Sequence, residues 1–280
     1  MSPSTSSLNH RWVSCPIFPQ KPSAAADDGT RVTGCVSKDL TFAVVPAAGS
    51  GVRMGLPHPK QLHPLHGKPL LLWTLERLRT LAFVAGIIAV VPADAVSAVE
   101  ALVRSLPAGT AITVIGGGAR RQDSVLAGLK ALPEVCRWVL IHDGVRPFAS
   151  ADLFRRTHEA ALRCGAAVCA CRAVETVKIV HDGWVRATVP RDRVWLVQTP
   201  QVFRRDLLED AFRTAEAQGW EATDDASLVE RLGARVAVVD GEKTNIKITT
   251  PDDLRWAAWT LETSERQAGL LPHGKDRAWP

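Results

Sequence analysis

From Thr41 onward, short and nearly continuous apolar runs alternate with longer stretches whose apolar residues recur at helical spacing. "TFAVVP" is a β-branched run closed by proline, and Pro69 then opens a stretch with Leu71, Leu75 and Leu78 on one helical face. "GIIAVVP" (86–92) predicts the next strand, followed by a helix through Glu100. "TAITVIGGG" (110–118) predicts a strand ending in glycines, and "QDSVLAGLKAL" (122–132) a helix. "RWVLIHDG" (137–144) predicts a strand, then a helix over Ala151–Arg163, then a buried strand in "AAVCACRAV" (166–174). Apolar strands without polar alternation, separated by helices, predict a Rossmann-like α/β fold: a mostly parallel sheet with helices on both faces.

The alternation breaks at "TVKIVHDGWVRATV" (176–189), which reads as two short strands joined through Asp182-Gly183, a hairpin turn signal. An α/β scheme does not need this arm, so it is expected to project, over about 174–191. Helices resume at Asp206–Gln218 and Asp225–Leu232. "RVAVVDG" and "NIKIT" predict late strands, and Pro251 starts a last helix with Leu254, Ala257, Ala258 and Leu261 on one stripe. Neither an internal repeat nor a linker follows residue 40, so one domain is expected over 40–265, with a C-terminal tail over 266–280.

Composition narrows the function classes. The chain has 280 residues and a net charge of +5. Its bases are scattered rather than blocked, which disfavours nucleic acid and suits a small polyanion. No apolar stretch reaches the ~18 residues that a membrane span needs. Residues 1–39, rich in Ser, Pro, Ala and Asp, are expected to be a disordered extension without a secretory apolar segment. Six cysteines in no zinc spacing are read as reduced, structural and cytoplasmic.

The chemistry begins where the first strand ends, at "PAAGSGVRMGLPHPKQ" (46–61). A strand running into a small-residue turn commonly cradles phosphate. A Walker loop needs Gly-Lys-Ser/Thr, and the nearby Gly67-Lys68 is followed by Pro69. A dinucleotide fingerprint needs a third glycine opening a helix; Met54, Pro57 and Pro59 deny both. What remains is a long loop that wraps its ligand. Pro46 ends the strand, and Ala47, Ala48, Gly49 and Gly51 let the backbone approach a nucleotide. Arg53 and Lys60 add two positive charges, and the prolines reduce the entropy lost on ordering.

These residues, with "GGGARRQDSVLAGL", "HDGVRP", "TVK", "TPQVF", "TDDASLVE" and "NIKITTPDDL" in order, resemble the 2-C-methyl-D-erythritol 4-phosphate cytidylyltransferase family of the sugar-nucleotidyltransferase superfamily. The resemblance covers about Phe42 to Leu261. Two departures are mild: Ala119 stands where many relatives carry an acid, and Gly144-Val145 where many read Ala-Ala.

Backbone groups at Gly117 and Gly118 and the Ser124 hydroxyl can meet a base edge, which the resemblance makes cytosine; Ser124 is equally a helix-start residue. Arg121 follows the same turn, with solvent as its other partner. Asp143 ends a strand, where open α/β sheets bind ligands, and is suited to ribose or substrate hydroxyls. Arg146 either joins it at the substrate or pairs with it structurally. Thr176, Lys178 and Arg191 flank the arm, which is either a solvated hairpin or, as the resemblance implies, an arm exchanged across a homodimer that delivers Thr176 and Arg191 to the neighbouring substrate. Thr199 and Thr223 offer hydroxyls to a phosphate or polyol, and Thr223 is also a candidate N-cap. Lys247, alternating with Ile246 and Ile248, is expected to face the cleft.

The reaction implied by the resemblance joins CTP to methylerythritol phosphate with release of pyrophosphate. A phosphate dianion is already nucleophilic, so positioning and charge stabilisation suffice. Arg53 and Lys60 would meet transition-state charge, and Arg191 and Lys247 the attacking phosphate. Mg²⁺ would come mainly on the triphosphate oxygens, without a dedicated set of protein ligands. Ribitol 5-phosphate is the rival acceptor, less suited to "PAAG", "DSV" and "TDDAS". A nucleotide-sensing protein without turnover is the rival of another class, expected to lose Arg53 or Lys60.

Overall fold

The computed structural model describes residues 39–49 and 59–267. In chain order the elements are β1 (Leu40–Pro46), the two-residue strands β2 (Pro64–Leu65) and β3 (Lys68–Pro69), α1 (Leu70–Arg79), β4 (Val84–Val91), α2 (Val96–Arg104), β5 (Ile112–Gly116), α3 (Arg121–Lys130), β6 (Cys136–Ile141), α4 (Ala151–Cys164) and β7 (Ala166–Arg172). There follow β8 (Val177–His181), β9 (Trp184–Val189), β10 (Trp195–Arg204), α5 (Arg205–Gln218), α6 (Asp225–Arg231), β11 (Ala237–Asp240) and α7 (Pro251–Gln267).

Seven strands form one sheet in the order β11-β7-β10-β6-β1-β4-β5. All neighbours run parallel except β10, which is antiparallel to both β6 and β7. Both faces of β1, β4, β6 and β7 are largely buried, which is why these strands read as unbroken apolar runs. Along β1, Ala43 and Val45 point to a core shared with Leu71, Leu75 and Leu78 of α1 and Phe154 of α4. Val44 points to the opposite core, with Val125 of α3, Phe212 of α5 and Leu228 of α6. A third apolar cluster seats Ala257 of α7 against Leu65, Leu70, Val145 and Ile248.

Three expectations need correction. The strand β10 was not read, because Pro200 interrupts its apolar run; the register against β7 shifts between Val197 and Gln201, around that residue. "NIKIT" is not a strand: it runs extended with no ladder partner among the described residues, held by the Ile248 N–H on Val145 O (3.0 Å) and the Asn245 N–H on Glu242 O (3.1 Å). Thr223 is not the cap of α6; Asp224 is, its carboxylate accepting from the Ser227 N–H. The hairpin is as expected. β8 and β9 pair with each other and with no strand of the main sheet, and the turn residues Asp182 and Gly183 both have positive φ (50° and 79°). The expected N-terminal extension over 1–39 lies, but for Asp39, outside the described residues, as do Gly51, Arg53 and most of the C-terminal tail. Among the described residues no helix is long and apolar enough to cross a membrane, and the four described cysteines are free.

Candidate active site

The loops after β1, β5 and β6 meet above the carboxyl ends of the strands. The Ala47 N–H donates to Val90 O and the Gly117 N–H to Val91 O, both at 2.7 Å, which fixes the two turns side by side on the end of β4. A side chain at Gly117 would stand 2.6 Å from the Ala48 Cβ and 2.7 Å from Ser124 Oγ, so only glycine allows this approach. Ser124 is buried, and its hydroxyl bonds Gly118 O and Arg120 O. It therefore stabilises the glycine turn, and the outward groups of that turn are backbone. Pro46, Ala47, Ala48 and Gly49 line the neighbouring turn, with Gly49 exposed.

Asp143 is the centre of the arrangement. It follows β6, is 5% exposed, and its carboxylate accepts from Arg121 Nε (3.3 Å) and Arg146 Nε (3.4 Å) and pairs with Lys247 Nζ (3.0 Å). Burial opposes its ionisation, but the charges of Arg121, Lys247 and Arg146 outweigh that, holding the carboxyl far below the usual range. Arg121 also reaches Asp225 at 2.8 Å. Burial disfavours its charge too, yet the two carboxylates overcome this and raise its pKa. Asp225 itself is pushed up, chiefly by burial. Lys60 Nζ donates to Ile248 O at 3.3 Å, bringing its charge to the residue after Lys247. Three cations thus pair with Asp143, one of them shared with Asp225, and Lys60 bonds the chain next to the third.

Behind the carboxylate lies a chain of neutral groups. The Asp143 N–H donates to Thr199 Oγ1 (3.0 Å), Thr199 Oγ1 meets His142 Nδ1 (3.1 Å), and His142 Nε2 meets Arg146 O (3.0 Å). A carbonyl only accepts, so His142 carries its proton on Nε2 and receives the Thr199 hydroxyl on Nδ1. Burial pushes His142 down to about 4. Both ring nitrogens are occupied and the ring is wholly buried, so His142 is no general base. Thr199, also buried, serves this network.

Sequence reasoning underrated Arg121, which bridges two carboxylates rather than facing water, and missed Asp225 and Asn245. The signal for Arg121 was its place at the first turn of a helix that follows a glycine turn; Asp225 was visible only as the second acid of "TDD". Thr223 is exposed beside the Asp224 cap. Thr176 and Arg191 lie on the exposed arm, where the Arg191 guanidinium donates to Val174 O (3.0 Å) and closes the stem. Nothing in the chain itself joins them to the Asp143 cluster among the contacts of the described residues.

The family model for 2-C-methyl-D-erythritol 4-phosphate cytidylyltransferase matches residues 41–263. The chain belongs to that family. It is therefore a nucleotidyltransferase that uses CTP. The cytidylyltransferase of Syntrophus aciditrophicus is 45% identical over 230 residues, covering 81% of this chain and 98% of its own. That of Symbiobacterium thermophilum is 46% identical over 225 residues, covering 80% of this chain and 94% of its own. Among solved structures, the 4-diphosphocytidyl-2C-methyl-D-erythritol synthase of Anaerococcus prevotii superposes with a TM-score of 0.73 at 35% identity, covering 81% of this chain and 98% of that one. The match stops short of both tails, as the resemblance did. The mostly parallel sheet with helices on both faces is thus the cytidylyltransferase fold.

Proposed function

We propose that the cationic cluster on Asp143 is where this cytidylyltransferase joins CTP to 2-C-methyl-D-erythritol 4-phosphate, giving 4-diphosphocytidyl-2-C-methyl-D-erythritol and pyrophosphate. The observation that carries the reading is the gathering of Arg121, Arg146 and Lys247 around one carboxylate at the carboxyl ends of parallel strands, with Lys60 bonded to the residue after Lys247, beside the turns after β1 and β5. An oxygen of the acceptor phosphate attacks the α-phosphorus, a P–O bond forms, and the bond to pyrophosphate breaks. No proton need be removed from a phosphate dianion. His142, which adjoins the cluster, is buried, neutral and fully bonded, so it supplies no base to this chemistry.

The residues then divide the work. Pro46, Ala47, Ala48 and Gly49 pass beneath the triphosphate, a role Gly51 would share, while Gly117 and Gly118 offer backbone to cytosine with Ser124 shaping their turn. Lys60 and Arg53 oppose the charge that grows on the phosphates. Asp143 holds Lys247 and Arg146 toward the acceptor phosphate and takes a hydroxyl on any free lone pair. Thr199 fixes Asp143, and Thr223 reaches the polyol. Asp143 is a hard oxygen donor kept ionised, and among the described residues no group of three His, Cys, Asp or Glu side chains could hold a metal. Asp143 would be the residue to meet a Mg²⁺ carried mainly on the triphosphate, and the ion would supply charge neutralisation at phosphorus.

We further propose a homodimer built through the arm. Ile179, Val180, Trp184 and Val185 are each more than half exposed on a two-stranded sheet of its own. An isolated hairpin is marginal in water, and exposed apolar area of this kind seeks a partner. A second copy offers a self-complementary one and receives Thr176 and Arg191 at its acceptor site. The enzyme is cytoplasmic in this reading.

The test is pyrophosphate release from CTP and Mg²⁺ with methylerythritol phosphate and, separately, ribitol 5-phosphate. Release with the first and at least ~10-fold less with the second is expected, since a site that hydrogen-bonds particular hydroxyls rejects misplaced ones. Equal or reversed preference overturns the substrate; no release with either overturns the activity.

A further inference from the structure

The segment that carries Lys247 has no ladder to hold it, yet Lys247 must stand in one place. Its position rests on three ties. Glu242 accepts from the Ser150 hydroxyl and the Ser150 N–H (3.1 Å) at the start of α4, and the Ile248 N–H donates to Val145 O. Between them stands Asn245, 0% exposed. Its side-chain Nδ2 donates to Thr199 O (2.8 Å) and Gln198 Oε1 (3.2 Å) on β10, and its main-chain carbonyl accepts from Arg146 Nη1 (2.7 Å). The orientation of the amide is dictated by its two acceptors, because Gln198 Oε1 also receives the Glu242 N–H (3.3 Å). Asn245 Oδ1 is left without a hydrogen-bond partner among the described residues, an arrangement that fold stability alone does not favour.

We infer that Asn245 is a positioning residue for the acceptor half of the site: its side-chain amide fixes the segment whose main-chain carbonyl receives Arg146 and which carries Lys247, setting both against Asp143. One residue thereby joins β10, the loop after β6 and the extended segment after β11. It touches Thr199, which in turn anchors the Asp143 backbone, so the acid and two of its cations share a single reference point. The nucleotide turns at Ala47 and Gly117 hang instead on β4. Loss of Asn245 should therefore disturb the acceptor and spare the nucleotide.

The inference rests on the proposed site, and the experiment separates the two. Asn245→Ala, Asn245→Ser and Lys247→Ala are compared with wild type in pyrophosphate release, each substrate varied in turn, and in equilibrium binding of Mg²⁺ and CTP alone. For Asn245→Ala, kcat should fall about 10- to 100-fold, as small misplacements of reacting groups do. KM for methylerythritol phosphate should rise and CTP binding stay within about threefold of wild type. Asn245→Ser, which keeps a short donor, should recover part of the loss. Wild-type kinetics in Asn245→Ala overturns the inference. So does an equal loss of CTP binding, or failure of both Asn245 variants to fold, since the residue would then hold the fold and not the site. If Lys247→Ala is as active as wild type, the site assignment itself falls.

Discussion

Replacing Asp143 by asparagine keeps the shape of the side chain and removes its charge. In the wild type that charge faces Arg121 at 3.3 Å, Arg146 at 3.4 Å and Lys247 at 3.0 Å. Arg121 retains Asp225, and Lys247, 36% exposed, can turn to water, so its share is discounted for screening. The uncompensated charge falls mainly on Arg146, whose side chain is 11% exposed. Unpairing a buried ion costs about 3–5 kcal/mol, and the surviving partners place this case at the low end, about 3 kcal/mol. For a domain of this size that lowers Tm by roughly 6–12 °C. The carboxyl is held far below its ordinary value, so its contribution is full above about pH 4 and drains as pH falls further. Urea unfolding of both proteins at pH 7, 5 and 3.5 checks the reasoning. The gap should be equal at pH 7 and 5 and smaller at 3.5. A gap below about 1 kcal/mol at pH 7, or one that closes between pH 7 and 5, would refute the idea that Asp143 neutralises the cluster.

Lys60→Ala should lower kcat by about 10²-fold with little change in Tm, measured by pyrophosphate release and thermal melts, since removing one preorganised donor commonly costs that much. His142 is pushed down to about 4 by burial, so its neutral form stabilises the fold above about pH 6.5 and that contribution drains as pH falls toward 4. The loss is about 3 kcal/mol by pH 4, and His142→Gln should show a correspondingly flatter stability profile over that range in denaturant titrations. Mixing Arg191→Ala with Lys60→Ala protein should restore part of the activity, because a hybrid dimer regains one site with both residues; mixed dimers without activity would confine Arg191 to its own chain.

Much of the fold was legible because burial on both faces erases polar alternation: β1, β4, β6 and β7 each read as a continuous apolar run and are strands. The arm was legible from Asp182-Gly183, whose backbone takes the turn that those residues favour. The failures have a common physical source in contacts made across the chain. Pro200 hid β10, since a proline within a run argues locally against a strand that tertiary pairing nevertheless supports. Ile246 and Ile248 looked like strand residues because an extended chain alternates whether or not it is paired; Ile248 is buried and Lys247 turns the other way, as alternation required, but without a ladder. In the site, Asp143, Arg146 and Lys247 were recognisable one by one. That Arg121 completes the group depends on Asp225, 104 residues away, and no local pattern carries that. Likewise, Thr199 and Ser124 were read as hydroxyls for a ligand, and nothing local showed that Thr199 would bond the Asp143 N–H and His142 Nδ1 and Ser124 the carbonyls of Gly118 and Arg120.

A crystal structure with CTP and Mg²⁺ bound tests the central claim most directly. The account predicts cytosine against the backbone of Gly117 and Gly118, the triphosphate over Ala47–Gly51 with Lys60 on it, and the α-phosphorus facing Lys247 beside Asp143. A nucleotide seated elsewhere, or one whose α-phosphorus points away from the Asp143 cluster, would contradict it.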